Sequence, residues 1–237
     1  MIVTFVMNCK EMKTIMYIHG MGGGSDSRIP SILRDVLCPP TSCSPEQDEE
    51  SFQVVCCTYS FDPEEAAGQI AGWVRELKPD LIIGESLGCL HALRLRGVPK
   101  ILISPALNAP QYFEALAWLT LIPGVTWLFD RIYKPREGDR QPLHFTFHTL
   151  RKYLHHRKEA MKASRLRASK SASVPEVQAP VHAFIGTRDH YLRSGIVSRR
   201  TYKKHFGATC TLYDGSHFTE EEYIRSLVIP KIKELMG

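Results

Sequence analysis

The strongest constraint on this chain is an alternation. Short runs of aliphatic and β-branched residues, Thr14 to Ile18, Phe52 to Tyr59, Leu81 to Ile83, Ile101 to Ile103, Val181 to Ile185 and Thr209 to Leu212, are bounded by Gly, Pro or Asp and separated by stretches that read as helix. Several runs have no polar alternation, the pattern of strands covered on both faces of a parallel sheet. Between the second and third, Asp62-Pro63-Glu64-Glu65 offers an N-cap, a proline for the first helical position and first-turn acids. Ala66, Ile70, Trp73, Val74 and Leu77 then share one helical face as far as Pro79. Strand, helix and strand of this size form a βαβ unit, so the expected class is α/β, three layers built on about six mostly parallel strands.

Further helices are expected at Leu87 to Arg96, closed by Gly97, and at Ser194 to Phe206, closed by Gly207. A last one should start near Thr219 with Glu222 completing a capping box, and Pro230 must kink or end it. The rhythm breaks between Asn108 and Gln178, where an apolar part (Tyr112 to Phe129) precedes a basic part. Such a stretch is too long for a connection and reads as a mostly helical insertion, with Ser169 to Pro180 as return linker. The expected organisation is an N-terminal extension (1–12), a core (13–107 and 180–237) and a cap or insertion (108–179).

With 43% hydrophobic and 23% charged residues the chain is globular rather than disordered, collagen-like or coiled-coil. The uncharged stretch Ala115 to Phe129 is broken by Pro123-Gly124 and is shorter than the roughly 20 residues that span a bilayer, so no transmembrane segment is expected. Met1 to Cys9 is apolar without a preceding basic region, and Lys10, Glu11 and Lys13 follow where a cleavage site needs small neutral residues. Together with seven cysteines, an odd number, this leads us to expect a non-secreted, cytoplasmic protein with free thiols. Adjacent Cys56 and Cys57 would point to opposite faces of a strand, which suits strand positions better than a metal site.

The net charge of +5 conceals an asymmetry: Arg131 to Lys170 holds twelve Lys or Arg against Glu137, Asp139 and Glu159. Arg151, Lys152, His155, His156, Arg157, Lys158, Lys162, Arg165 and Arg167 form either a solvated helix face or a surface for nucleic acid, anionic lipid or an acidic substrate. Without base-reading architecture the segment argues weakly for nucleic acid.

Gly84-Glu85-Ser86-Leu87-Gly88 directly follows one apolar run and opens a helix. A serine on a tight strand-to-helix turn projects its oxygen above the sheet edge, and its flanks must lack bulk because the backbone passes close to neighbouring strands. Such a hydroxyl is a weak nucleophile until a base takes its proton, and the base needs a third group to fix its tautomer. His217, in Asp214-Gly215-Ser216-His217-Phe218, and Asp189, in Gly186-Thr187-Arg188-Asp189, each follow a strand and are expected at the same sheet edge. Asp214 competes as the acid, but three residues before His217 it more naturally shapes the turn. His19-Gly20-Met21-Gly22-Gly23-Gly24 can turn an amide inward to hold a developing oxyanion, with the amide of Leu87 as second donor. A phosphate-binding reading of these glycines lacks the Gly-Lys-Ser/Thr ending and places Ser25 where a dinucleotide fingerprint has Gly or Ala.

His-Gly-X-Gly-Gly, Gly-Glu-Ser-Leu-Gly, Gly-Thr-Arg-Asp and Gly-Ser-His-Phe, in this order, resemble the α/β-hydrolase superfamily and its small bacterial esterase-like serine hydrolases, over residues 13 to 107 and 180 to 236. The resemblance implies Ser86 as nucleophile, His217 as base, Asp189 as acid and the Met21 and Leu87 amides as oxyanion hole. It implies hydrolysis of a small-molecule ester without metal or organic cofactor; thioesters and lipids are related substrates. It also places the insertion above the serine as a lid, whose Tyr112, Phe113, Trp118, Trp127 and Phe129 either line an acyl pocket or belong to a helix pair that packs on the sheet domain. The alternative is a non-catalytic protein of this fold that binds an anionic partner through the basic segment.

Overall fold

The computed structural model describes residues 12–38, 51–135, 137–168, 179–207 and 210–237. Residues 1–11 of the expected N-terminal extension, 169–178 of the expected return linker, the side chains of Arg165 and Arg167, and Thr209 lie outside them. Six strands, β1 (Lys13–Ile18), β2 (Phe52–Cys56), β3 (Leu81–Glu85), β4 (Lys100–Ile103), β5 (Val181–Gly186) and β6 (Cys210–Tyr213), form one sheet in the order β2-β1-β3-β4-β5-β6. Every pairing is parallel. The helices are α1 (Arg28–Leu37), α2 (Pro63–Leu77), α3 (Gly88–Arg94), α4 (Ala109–Leu119), α5 (Val125–Ile132), α6 (Phe147–Ala168), α7 (His190–Ser194), α8 (Arg199–Phe206), α9 (Glu221–Tyr223) and α10 (Ile229–Met236). No described helix is long and apolar enough to cross a membrane.

The uninterrupted apolar strands are explained by their cover. On one face, Ile15, Leu81, Ile83 and Ile101 pack against Ile29 and Leu33 of α1 and against Ile224, Val228 and Ile232 near the C-terminus. On the other, Met16, Ile82 and Leu102 pack against Ile70 of α2, Leu90 and Leu93 of α3, and Leu150 and Tyr153 of α6. Asp62 caps α2 as its sequence suggests, accepting from the amides of Glu64 and Glu65.

The basic segment is not one open face. Lys152 pairs with Asp62 at 2.7 Å and with Glu64 at 2.9 Å. Arg157 donates to the carbonyl of Leu107 at 2.6 Å and to Asn108 Oδ1 at 2.8 Å, while His156 is buried beside Arg94. Partly exposed ion pairs contribute at most about 1 kcal/mol each. Burying Leu150 or Met161 contributes about 1.5–3 kcal/mol each, so apolar packing decides where α6 lies.

Three local expectations change. The helix expected from Ser194 starts only at Arg199: Ser194 is the last residue of α7, which Gly195 (φ 80°) closes, and Ser198 caps α8 by accepting from the amide of Thr201. Thr219 does not cap the last helix, because its hydroxyl is engaged by the Tyr213 hydroxyl at 2.6 Å. Pro230 does not end that helix, which continues to Met236. A π-helical turn, Ile224–Val228, links α9 to α10 with the Ile229 amide reaching back to Ile224 O, and this wider turn accommodates the missing proline donor.

Candidate active site

The chain leaves β1 toward β2 on one side and returns to β3 on the other, so strand order reverses between β1 and β3. A crevice opens at the carboxyl ends of strands at such a point. The glycine loop follows β1 and Ser86 follows β3, with Ile18 opposite Gly84 in register. Gly186 of β5 stands opposite Tyr213 of β6, which starts Asp189 and His217 from one level of the sheet.

Ser86 has φ 49°, a left-handed conformation that costs a non-glycine residue about 1–3 kcal/mol. Its amide donates to Ile103 O at 2.9 Å and its carbonyl accepts from Ala106 at 3.1 Å, which hold the bend. The flanking glycines answer to close approaches. A Cβ at Gly84 would sit 2.9 Å from Cys89 Cα, and one at Gly88 would run into the carbonyls of Ile18 and His19. A Cβ at Gly186 would meet the carbonyl of Gly215, in the loop that carries His217.

The three residues singled out in the sequence are brought together. Asp189 and His217 are almost fully buried. Asp189 Oδ2 lies 2.8 Å from His217 Nδ1, and His217 Nε2 lies 3.0 Å from Ser86 Oγ. A carboxylate only accepts, so Nδ1–H donates to Asp189 and Nε2 is left as acceptor for the serine hydroxyl. The other oxygen of Asp189, the N-cap of α7, accepts from the Tyr191 amide at 2.8 Å, and the Tyr191 ring meets the imidazole edge-on at 4.6 Å. Asp214 is not in this chain of bonds; it pairs with Arg188 at 3.0 Å with its side chain largely in solvent.

The amides of Met21 and Leu87 make no hydrogen bond among the described residues, and both residues line the cavity over Ser86. The glycine loop is held by groups the sequence did not reveal. Gln141 accepts from the Gly22 amide at 3.1 Å, donates from its own amide to Gly23 O at 2.7 Å, and donates from Nε2 to Tyr59 O and Ser60 O at 3.1 and 3.2 Å. Tyr59 donates to His19 O at 2.5 Å and stacks on the His19 ring at 4.2 Å. Gln141 lies in the insertion, 119 positions from Gly22, and no motif announces it.

The cavity has a volume of about 690 Å³ and is lined near Ser86 and His217 by Phe113, Leu116, Phe129 and Phe145. Of the five aromatic residues expected over the serine, Tyr112, Phe113 and Phe129 line it, but Trp118 and Trp127 do not; they are 58% and 62% exposed. Five residues after Phe113, Trp118 falls on the far side of α4, and Trp127, two before Phe129, on the far side of α5.

No family model and no curated protein matches the chain. Solved structures do. The monoacylglycerol lipase of Paleococcus ferrophilus superposes with a TM-score of 0.56 at 18% identity, covering 94% of this chain and 93% of that one. Est1E from Butyrivibrio proteoclasticus, with ferulic acid bound, gives 0.59 at 15% identity over 97% and 91%. The type II thioesterase BorB from the borrelidin biosynthetic cluster gives 0.54 at 16% identity over 95% and 91%. With its six-stranded parallel sheet between helices, the chain has the α/β-hydrolase fold.

Proposed function

We propose that this protein is a serine hydrolase that cleaves a carboxylic ester through an acyl-enzyme. The observation that carries the reading is the continuous set of hydrogen bonds from Ser86 Oγ through His217 to Asp189. His217 Nε2 takes the serine proton as Oγ attacks the ester carbonyl carbon, and the C=O electron pair moves onto oxygen. The amides of Met21 and Leu87 receive that oxyanion, a contribution on the order of 10²–10³ in rate per donor. As the tetrahedral intermediate collapses, the proton on Nε2 passes to the leaving alkoxide and the acyl group remains on Ser86. Water, deprotonated by the same nitrogen, then releases the acid and restores Ser86. Asp189 stays ionised and holds the imidazole with Nε2 toward the serine.

An apolar cavity of about 690 Å³ lined by aromatic side chains suits an acyl group of moderate length or an aromatic acyl group. That a lipase and a thioesterase share this fold supports hydrolysis of this kind. The test is turnover of short p-nitrophenyl esters by the purified chain and by Ser86→Ala. Activity in the parent that vanishes in a variant with an unchanged thermal melt supports the reading, and equal activity in both rejects it.

A further inference from the structure

α4 and α5, successive helices joined by the turn at 120–124 and together called the hairpin for their order in the chain, carry apolar residues both toward the cavity and toward solvent. The hairpin's inner side lines the cavity through Phe113, Leu116 and Phe129. Its outer side exposes Trp118, Leu119, Leu121, Ile122, Trp127 and Leu128. A helix at a protein surface ordinarily turns polar residues to water, and a contiguous exposed apolar face marks an interaction site.

Cations outnumber acids around this face, although Glu114, one turn before Trp118 on α4, is exposed. The Arg131 guanidinium lies 5.6 Å from the ring centre of Trp127. The Arg151 guanidinium lies 5.4 Å from that of Phe147, whose ring meets Trp118 at 5.2 Å. Beyond Arg151, exposed His155, Lys158 and Lys162 follow at spacings of four, three and four, which is one face of α6. Of the nearby acids, Asp130 of α5 is held by His144 at 3.0 Å, Glu159 on α6 is half-buried, and Glu114 of α4 is exposed against the four cations Arg131, Arg151, Lys158 and Lys162.

We infer that this face docks on an anionic lipid bilayer. Trp118, Leu121, Ile122 and Trp127 enter the boundary between headgroups and acyl chains, and Arg131, Arg151, Lys158 and Lys162 meet the headgroup phosphates. A second copy of the chain is the poorer occupant, because a two-fold contact would bring cationic rims toward each other. Docking places the cavity about one helix diameter, roughly 10 Å, from the lipid. The inference does not depend on Ser86 as nucleophile, since binding is read without substrate.

The experiment is co-sedimentation of the full chain with vesicles of phosphatidylcholine, with and without phosphatidylglycerol, alongside tryptophan emission; two of the three tryptophans are in the hairpin. The expected result is stronger binding to the anionic vesicles with a shift of emission to shorter wavelength. Ile122→Asp with Trp127→Asp should weaken binding at least about tenfold. Arg151→Glu with Lys158→Glu and Lys162→Glu should remove the preference for phosphatidylglycerol, about fivefold per cation. Both variants should keep the parent's activity, if any, on a short soluble ester, so an inactive parent would reject the hydrolase reading and leave the vesicle result standing. Parent protein that ignores vesicles, or variants that bind as the parent does, overturn the inference. So does self-association in sedimentation velocity that is lost with Ile122→Asp and Trp127→Asp while vesicles go unbound. Should the hairpin variant fail to fold, the cation variant decides alone.

Discussion

Gln141 and Gly22, 119 positions apart, are joined by a hydrogen bond of 3.1 Å from the Gly22 amide to Gln141 Oε1. The bond ties the insertion to the loop that carries the Met21 amide, and Gly22 itself has φ 72°. Gln141 touches no reacting atom in the proposed mechanism; it positions. Gln141→Ala should therefore lower kcat by about tenfold to a hundredfold, less than or equal to the loss of an oxyanion donor, with KM little changed. A merely structural role would lower the melting temperature and leave kcat of the folded fraction as in the parent.

Asp189 and Asp214 lie on the two loops that meet above β5 and β6, and only Asp189 reaches His217. Asp189→Asn presents an amide that favours the wrong imidazole tautomer, and turnover should fall by up to about 10⁴. Asp214→Asn breaks an exposed pair with Arg188 worth at most about 1 kcal/mol, so steady-state kinetics should stay near the parent's. The reverse order of effects would assign the acid to Asp214.

Much of this site could be read before any coordinates, and the reason is topological. In a parallel sheet covered on both faces the strands are continuous apolar runs, and their carboxyl-end loops share one edge, so Ser86, Asp189 and His217 could be assigned to one rim from spacing alone. The glycines at 84 and 88 were legible too, since each marks a place where backbone passes close to its neighbours, whereas the same demand at Gly186 shows only in the fold. What the sequence hid depends on packing across distant segments. Gln141 has meaning only because the insertion folds back onto Gly22 and Gly23. The inward turn of Lys152, His156 and Arg157 depends on how α6 rotates against α3, and a charge count cannot supply that rotation. Thr219 reads as a cap until Tyr213 claims its hydroxyl.

That packing has a pH consequence. His19, His91 and His156 are all buried, in a stack that runs from His19 through Tyr59 at 4.2 Å and His91 at 5.1 Å to His156 at 4.4 Å. Burial holds His19 down at about 4, His156 at about 3 and His91 well below its usual value, with the neighbouring Arg94 lowering His91 and His156 further. Each is neutral when folded, whereas the unfolded chain takes up protons below about pH 6.5. Their contribution is complete above that value and falls with decreasing pH, by up to about 1.4 kcal/mol per pH unit for each histidine, until the folded groups protonate. The melting temperature should drop steadily from about pH 6.5 toward 4. A flat profile there would mean that these rings are not buried neutral.

The most direct measurement of the central claim is the site of covalent reaction. Intact-protein and peptide mass spectrometry after treatment with a fluorophosphonate should show one adduct, on the peptide containing Ser86, formed slowly or not at all in His217→Ala and absent in Ser86→Ala. An adduct of the same yield in Ser86→Ala, or one mapped to another residue of the parent protein, would contradict the account.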